Sequence, residues 1–201
     1  MYKINKEDIT GVVLAGGQAR RMQGQDKGLI MLGETPMIEI ILDIFVPQVG
    51  KLIINANRNH EDYAKYGYPV ISDELSGYHG PLAGMASALN EITTTYMVTT
   101  PCDTPFIPTD LVERLANKLI DEDADICVAD NGERTQPVFC IIKKQLLSSL
   151  KQFLDQGERK IDRWFEQHKL AVADFSDIPE AFDNINTPDD VEEAVKKLES
   201  D

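Results

Sequence analysis

Two adjacent glycines and a group of cations follow the first apolar run of the chain. Gly16 and Gly17 are separated from residues 12–14 only by Ala15, and glycine lets a backbone approach a phosphate or a purine with no Cβ in the way. The cations of the window 20–27 are Arg20, Arg21 and Lys27. Because the whole chain carries a net charge of −14, cations beside this turn indicate an anionic ligand. A tight strand-to-helix turn with a solvated basic edge is the alternative.

A carboxylate follows a later apolar run, in a loop stiffened by prolines. Asp103 comes after residues 96–98 and stands between Pro101 and Pro105. A hard oxygen ligand in a ligand-binding crevice suits Mg²⁺, which proteins commonly bind through one or two carboxylates together with substrate phosphates. The alternative role for Asp103 is a helix N-cap, for which Asp110 competes. We favour metal binding.

Polar side chains also end two other predicted strands. Asn55 follows the apolar residues 52–54, and Asp73 follows residues 69–71. An Asn amide can donate and accept at the edge of a base or a sugar, and a carboxylate can accept from two adjacent donors such as those of guanine. Turn formation is the alternative for both residues. A helix opening at Pro81 offers free N-terminal amides that favour an anion, although a plain helix start explains it almost as well.

Strand-like and helix-like segments alternate along most of the chain. The patterns predict strands over residues 12–14, 51–55, 69–71, 125–129, 138–142 and 170–174, and a further strand that begins with residues 96–98 and ends in Cys102-Asp103-Thr104-Pro105. They predict helices over residues 36–45, 60–66, 81–92, 111–120, 146–154, 160–167 and 188–198. This order predicts an α/β fold with right-handed crossovers, in which residues 1–201 form a single three-layer α/β/α domain around a mostly parallel, Rossmann-like sheet. Ligands of such sheets bind beyond the carboxyl ends of the strands, where the candidate residues fall.

Composition excludes several classes of function. The excess of 34 acidic over 20 basic residues argues against non-specific nucleic-acid binding. No apolar stretch reaches the roughly 18–20 residues of a membrane span, and the N-terminus lacks the apolar core of a signal peptide. Cys102, Cys127 and Cys140 have no metal-binding spacing, so we expect a reducing compartment, the cytoplasm. The glycine turn matches neither the Rossmann dinucleotide fingerprint nor a P-loop.

Taken together and in order, the motifs resemble the molybdenum cofactor guanylyltransferases, a family of nucleotidyltransferases. The resemblance covers nearly the whole chain, and the ordered set is far more specific than the first motif alone, whose outline sugar-nucleotide pyrophosphorylases share. The motifs are Leu14-Ala15-Gly16-Gly17, Arg21-Met22, Asp26-Lys27-Gly28, Asn55-Ala56-Asn57-Arg58, Gly80-Pro81-Leu82-Ala83-Gly84, Cys102-Asp103-Thr104-Pro105, Gly157-Glu158-Arg159 and Asn184-Ile185-Asn186-Thr187-Pro188.

The resemblance implies a fold of the nucleotide-diphospho-sugar transferase type, and a reaction that transfers GMP from GTP to molybdopterin carrying molybdenum, with Mg²⁺ as cofactor. It assigns GTP contacts to Leu14, Ala15, Gly16, Lys27, Asn55, Asp73 and Asp103. It assigns catalysis to Arg21, Lys27 and Asp103, with Asp103 also holding the metal. It places on the molybdopterin side of the cleft Glu158, Arg159, Asn184 and Asn186. The partners it suggests are the molybdenum-inserting protein and the machinery of the acceptor molybdoenzymes.

The chain departs from the family pattern at two positions without losing a charged group. Gln23 precedes Gly24 where two glycines are usual, and His79 replaces a proline before Gly80. Two other functions remain as alternatives. A sugar-1-phosphate nucleotidyltransferase would show a proline after Lys27, where this chain has Gly28. A non-catalytic nucleotide-binding protein would bind GTP without releasing pyrophosphate.

Overall fold

The structure of the protein, a computed structural model, describes residues 4–16, 26–74 and 80–199. The strands of this part are β1 (Ile9–Leu14), β2 (Met31–Leu32), β3 (Thr35–Pro36), β4 (Lys51–Asn55), β5 (Val70–Ile71), β6 (Tyr96–Pro101), β7 (Ile126–Asp130), β8 (Thr135–Lys143) and β9 (Leu170–Asp174). The α-helices are α1 (Met37–Phe45), α2 (His60–Ala64), α3 (Pro81–Glu91), α4 (Leu111–Asp121), α5 (Leu147–Asp155), α6 (Ile161–Phe165) and α7 (Pro188–Leu198). Among the described residues, no helix is both long and apolar enough to cross a membrane.

The central sheet confirms the predicted mostly parallel α/β architecture. Within the described residues, seven strands lie in the order β5-β4-β1-β6-β8-β7-β9. Only β8 among them runs antiparallel to its neighbours, β6 and β7. β2 and β3 form a separate antiparallel pair that the periodicity did not predict, because two-residue strands are too short to show a period of two.

Helices cover both faces of the sheet, so the predicted three layers are present. The side chains of β1 alternate between the two faces: Val13 packs with residues of α1 and α4, whereas Val12 packs with residues of α3 and α5. The first layer also contains Tyr63 of α2 and Ala194 of α7, and the second contains Trp164 of α6. The core therefore consists of two apolar layers, one on each face of the central sheet.

β1 begins three residues earlier than predicted, at Ile9, and includes Gly11. A Cβ on Gly11 would lie 2.8 Å from the Phe45 ring, so glycine lets α1 pack directly against the strand.

Four neighbouring strands end level with one another. Leu14 pairs with Asn55 on one side and with Pro101 on the other, and Asn55 pairs with Ile71. The residues that follow these four positions therefore enter loops at one edge of the sheet, as the rule for parallel sheets requires.

Candidate functional site

Lys27 and Asp103 form an ion pair at this edge of the sheet. Lys27 Nζ lies 2.7 Å from Asp103 Oδ2, and the two side chains are 21% and 19% exposed. Lys27 begins a single turn of 3-10 helix that ends at Leu29, and Asp103 comes two residues after the end of β6. The structure therefore brings together the two charged groups that the sequence predicted to share a cleft, and it leaves both accessible.

The C-terminal loop before α7 completes this group. Lys27 Nζ also donates to Asn186 Oδ1 at 2.6 Å, and the Ile185 amide donates to the Asp103 carbonyl at 2.8 Å. Asn184 Oδ1 accepts a bond from the Thr104 hydroxyl at 2.8 Å. Of the two asparagines predicted from the resemblance, Asn186 thus bonds directly to Lys27, and Asn184 bonds to Thr104, the residue after Asp103.

A capping box holds this loop in place. The Asp190 carboxylate accepts from the amides of Asn186 and Thr187, both at 2.8 Å, and the Thr187 hydroxyl accepts from the Asp190 amide. These amide bonds, that of Asn186 above all, lower the pKa of Asp190 below its usual range. Thr187 is thereby the N-cap of α7. The cap on α7 therefore also fixes Asn186 beside Lys27.

A second polar group lies at the ends of β4 and β5. Asn55 Nδ2 donates to Asp73 Oδ1 at 3.1 Å, and Asn57 Nδ2 donates to Asp73 Oδ2 at 2.8 Å. The Asp73 amide returns a bond to Asn57 Oδ1 at 2.9 Å. Each Asp73 oxygen thus already accepts one bond from the protein. A further donor, such as one from a base, would have to use a remaining lone pair.

Sequence reasoning did not select Asn57 as a site residue, although a signal for it was present. Asn57 comes two residues after Asn55, and residues at this spacing in extended chain lie on the same side. The structure joins both asparagines to the same carboxylate, so the polar group has three members rather than two.

Two glycines let the backbone come close to the Asn55 side chain. A Cβ on Gly16 would lie 3.1 Å from Asn57 Nδ2 and 3.6 Å from Asn55 Oδ1. A Cβ on Gly84, in the first half of α3, would overlap with Asn55 Oδ1. Asn55 itself is 1% exposed, so the amide is enclosed between β1, α3 and Asp73.

Asp103 presents an oxygen ligand of the kind that a hard cation such as Mg²⁺ prefers, and because its Oδ2 binds the Lys27 ammonium, a metal at Asp103 would use the other carboxylate oxygen. Asp103 supplies a carboxylate oxygen and Asn186 an amide oxygen, and both point at the same nitrogen, Lys27 Nζ. Asp103 makes no capping bond to a helix, because the helix that follows, α4, begins only at Leu111.

Other candidate residues lie elsewhere or outside the described part of the chain. Glu158 and Arg159 lie in the connection between α5 and α6, where Arg159 donates to the carbonyls of Leu154 and Glu158 at 2.7 and 2.6 Å. Glu158 lies 3.7 Å from Arg163. These contacts are local to the connection. Arg21 lies outside the described residues, as do Gly17 and Met22.

Cys102, next to Asp103, is not activated as a nucleophile. Burial, with a contribution from the Asp103 carboxylate, raises the pKa of its thiol far above the usual range. The group therefore stays a protonated thiol. Cys102, Cys127 and Cys140 are all free and buried.

Comparison with known families supports the interpretation of the motifs as those of a nucleotidyltransferase. The family model described as the MobA-like NTP transferase domain matches residues 11–172. This range contains both polar groups of the site apart from Asn184 and Asn186.

Relatives with established names cover most of the chain. The molybdenum cofactor guanylyltransferase of Shewanella sediminis is 55% identical over 181 residues, which cover 90% of this chain and 92% of the relative. That of Shewanella loihica is 53% identical over the same shares. The crystal structure of molybdopterin-guanine dinucleotide biosynthesis protein A from Archaeoglobus fulgidus has the same fold, with a TM-score of 0.79 at 24% identity over 96% of this chain and all of that one.

Proposed function

Because the chain belongs to the molybdenum cofactor guanylyltransferase family, a family of nucleotidyltransferases, we propose that it transfers GMP from GTP to molybdopterin carrying molybdenum. The products are the guanine dinucleotide form of the cofactor and pyrophosphate. The observation that carries this proposal is the 2.7 Å pair of Lys27 and Asp103, which lies at the same edge of the sheet as the Asn55–Asp73 group.

The spacing of the two groups suits one nucleoside triphosphate. Asp73 follows β5 and Asp103 follows β6, and these strands are three positions apart in the sheet. Three strand spacings amount to about 14 Å. We place the base against Asn55 and Asp73, the phosphates against Lys27 and Asp103, and the Leu14–Gly16 turn between them.

The reaction needs positioning and charge neutralisation more than proton transfer. An oxygen of the molybdopterin phosphate forms a bond to the α-phosphorus of GTP, while the bond from that phosphorus to the bridging oxygen of pyrophosphate breaks. The attacking phosphate is already anionic, so no general base is required. Lys27 offsets the negative charge that builds on the α-phosphate and the leaving group. Mg²⁺ bound at Asp103 would add to this neutralisation.

The proposal also assigns roles to residues beyond these two polar groups. Arg21 is assigned to the phosphates because of its place in the glycine turn motif. Asn184 and Asn186 are assigned to the acceptor side of the site, since they border the Lys27–Asp103 pair from the C-terminal loop. Glu158 and Arg159 are assigned to the same side from the family resemblance alone.

We further propose that residues 1–201 work as one domain, with GTP on the N-terminal part and molybdopterin toward the C-terminal third. The acceptor would come from the molybdenum-inserting protein, and the product would go to the machinery that loads molybdoenzymes. The three free cysteines support a reducing location, the cytoplasm.

Pyrophosphate release tests the proposed function. The protein is incubated with Mg²⁺ and GTP in separate reactions, which contain molybdopterin carrying molybdenum, a sugar 1-phosphate or no acceptor. We expect release only with the molybdopterin acceptor. Release with a sugar phosphate would replace the proposal by the sugar-nucleotide alternative, and tight GTP binding without any release would make the protein a nucleotide-binding protein. Competition by CTP in the same assay measures the preference for guanine.

A further inference from the structure

We propose that Tyr63 is a positioning residue for Lys27, acting through Asp26, the residue next to that lysine. The inference rests on the proposed function, because it assigns Tyr63 a role in holding the lysine that faces the phosphates. Tyr63 lies on α2, away from the strand-end loops, and no motif of the sequence points to it.

Asp26 is a carboxylate that points into the protein. It is only 5% exposed, and Tyr63 donates its hydroxyl to Asp26 Oδ1 at 2.6 Å. Asn59 Nδ2 donates to Asp26 Oδ2 at 3.3 Å, and Arg58 Nε lies 3.7 Å from the same oxygen. A buried carboxylate is tolerated only when such partners compensate for the lost water. Three residues therefore hold Asp26, two from the loop between β4 and α2 and one from α2 itself.

The Tyr63 side chain is itself immobilised. It is fully buried in the core layer that contains α1, and burial raises the pKa of its hydroxyl far above the usual range. The phenol is therefore a permanent donor to Asp26. Asn59, the other donor, has a backbone φ of 53°, a left-handed conformation that turns its side chain back toward Asp26 and lets α2 begin.

Gly28 makes room for this contact. A Cβ on Gly28 would lie 2.7 Å from the Tyr63 hydroxyl oxygen and 3.3 Å from the Cβ of Cys102. Tyr63 thus touches the Lys27 segment at Asp26 and at Gly28, and the same segment packs against the residue before Asp103. The segment that carries Lys27 therefore lies between Tyr63 and the loop that carries Asp103.

The link from Asp26 to Lys27 is short and stiff. The Asp26 carbonyl accepts from the Leu29 amide at 3.0 Å, and the Lys27 carbonyl accepts from the Ile30 amide at 3.1 Å, which closes the 3-10 turn. When Asp26 is fixed, the backbone of Lys27 is fixed as well. The direction in which its Nζ reaches Asp103 then follows.

Kinetics and crystallography of Tyr63→Phe test the proposal. Removing the hydroxyl leaves the ring in place, so the variant is expected to fold. We expect kcat to fall about tenfold or more, because a small misplacement of a charge-stabilising group is costly, and KM for GTP to change less than about threefold. In the crystal structure of the variant, the Lys27 Nζ to Asp103 distance should exceed the 4 Å of an ion pair. The matched control is Tyr66→Phe, which removes the hydroxyl of a half-buried tyrosine just after α2. Its kcat and KM should equal those of the parent.

Two double variants separate positioning from a general loss of stability. In a Lys27→Ala background, Tyr63→Phe should lower kcat by less than about twofold, because a residue that acts through Lys27 has nothing left to position. Gly28→Ala should reproduce the defect of Tyr63→Phe by pushing the hydroxyl away from Asp26, and adding Tyr63→Phe to Gly28→Ala should lower kcat by less than about a further twofold, because both changes remove the same bond.

The outcomes keep this inference apart from the proposed function. If Tyr63→Phe only lowers the melting temperature and leaves kcat unchanged, or lowers kcat equally in the Lys27→Ala background, Tyr63 is not a positioning residue. If the parent protein releases no pyrophosphate with any acceptor, the proposed function is wrong. The distance between Lys27 and Asp103 in the Tyr63→Phe crystal structure still decides whether Tyr63 holds the lysine.

Discussion

Gly84→Ala should destabilise the protein, although the same change in an ordinary helix stabilises it. Gly84 lies within α3, where alanine is favoured over glycine by about 1 kcal/mol. Here the new Cβ would overlap with Asn55 Oδ1 and lie 3.0 Å from a Leu14 methyl group. The methyl group can move, but the Asn55 amide is enclosed and bonded to Asp73.

The size of the effect follows from what Asn55 loses. Displacing the amide breaks its bond to Asp73 and leaves a buried polar group without its partner, which costs about 1–3 kcal/mol. Overpacking adds about 1–3 kcal/mol. After the gain in helix propensity, we expect a net loss of about 3 kcal/mol, a fall in melting temperature of about 6–12 °C for a chain of this size. Because Asn55 is a proposed GTP contact, KM for GTP should rise as well.

Thermal unfolding of four proteins measures this effect: the parent, Gly84→Ala, Asn55→Ala and the double variant. In the Asn55→Ala background the obstacle is gone, and Gly84→Ala should be neutral or stabilising by up to about 1 kcal/mol. A rise in melting temperature for Gly84→Ala alone would refute the reasoning. So would an equal fall in both backgrounds, because the cost would then not come from Asn55.

Four further predictions concern the ion pair and the C-terminal loop. Lys27→Ala should lower turnover about 100-fold or more with an unchanged circular dichroism spectrum, whereas Lys65→Ala, an exposed ion-paired lysine, should keep the parent rate. Asp103→Asn should shift the Mg²⁺ concentration for half-maximal rate upward, as a titration of rate against metal will show. Thr187→Ala should cost about 1 kcal/mol of stability through the lost cap. For Asp190 the folded pKa is lowered, so its contribution is present above the unfolded value of about 3.9 and is lost as the pH falls through the folded one. Asp190→Asn should therefore be less stable than the parent at pH 7, with the difference shrinking below about pH 4.

The fold was predictable because its long elements show strong periodicity. The helices over Met37–Phe45 and Pro188–Leu198 were predicted to within a residue, and so was the strand Leu170–Asp174. The cap of α4 could not be predicted in this way. Asp110 makes no capping bond, and the Val112 amide in the first turn donates instead to Gln48 Oε1 at 3.0 Å. A cap supplied from another element leaves no local signal in the sequence.

The site was predictable in part for a similar reason. Strand ends mark Asn55, Asp73 and Asp103, and the sheet then brings them to one edge. The bond between Lys27 and Asn186 joins residues 159 positions apart, and no spacing rule reaches that far. The role of Tyr63 could not be predicted, because the sequence gives no sign that the hydroxyl of this helical tyrosine bonds to a buried carboxylate.

The distance along the chain between Lys27 and Asn186 has a consequence for how the protein is made. During synthesis on the ribosome, Lys27 and Asp103 emerge long before Asn186 and the helix whose cap holds it. A product released early by a premature stop would carry the ion pair without its third member. The site is therefore complete only in a chain that has been translated through Asn186 and the first turn of α7.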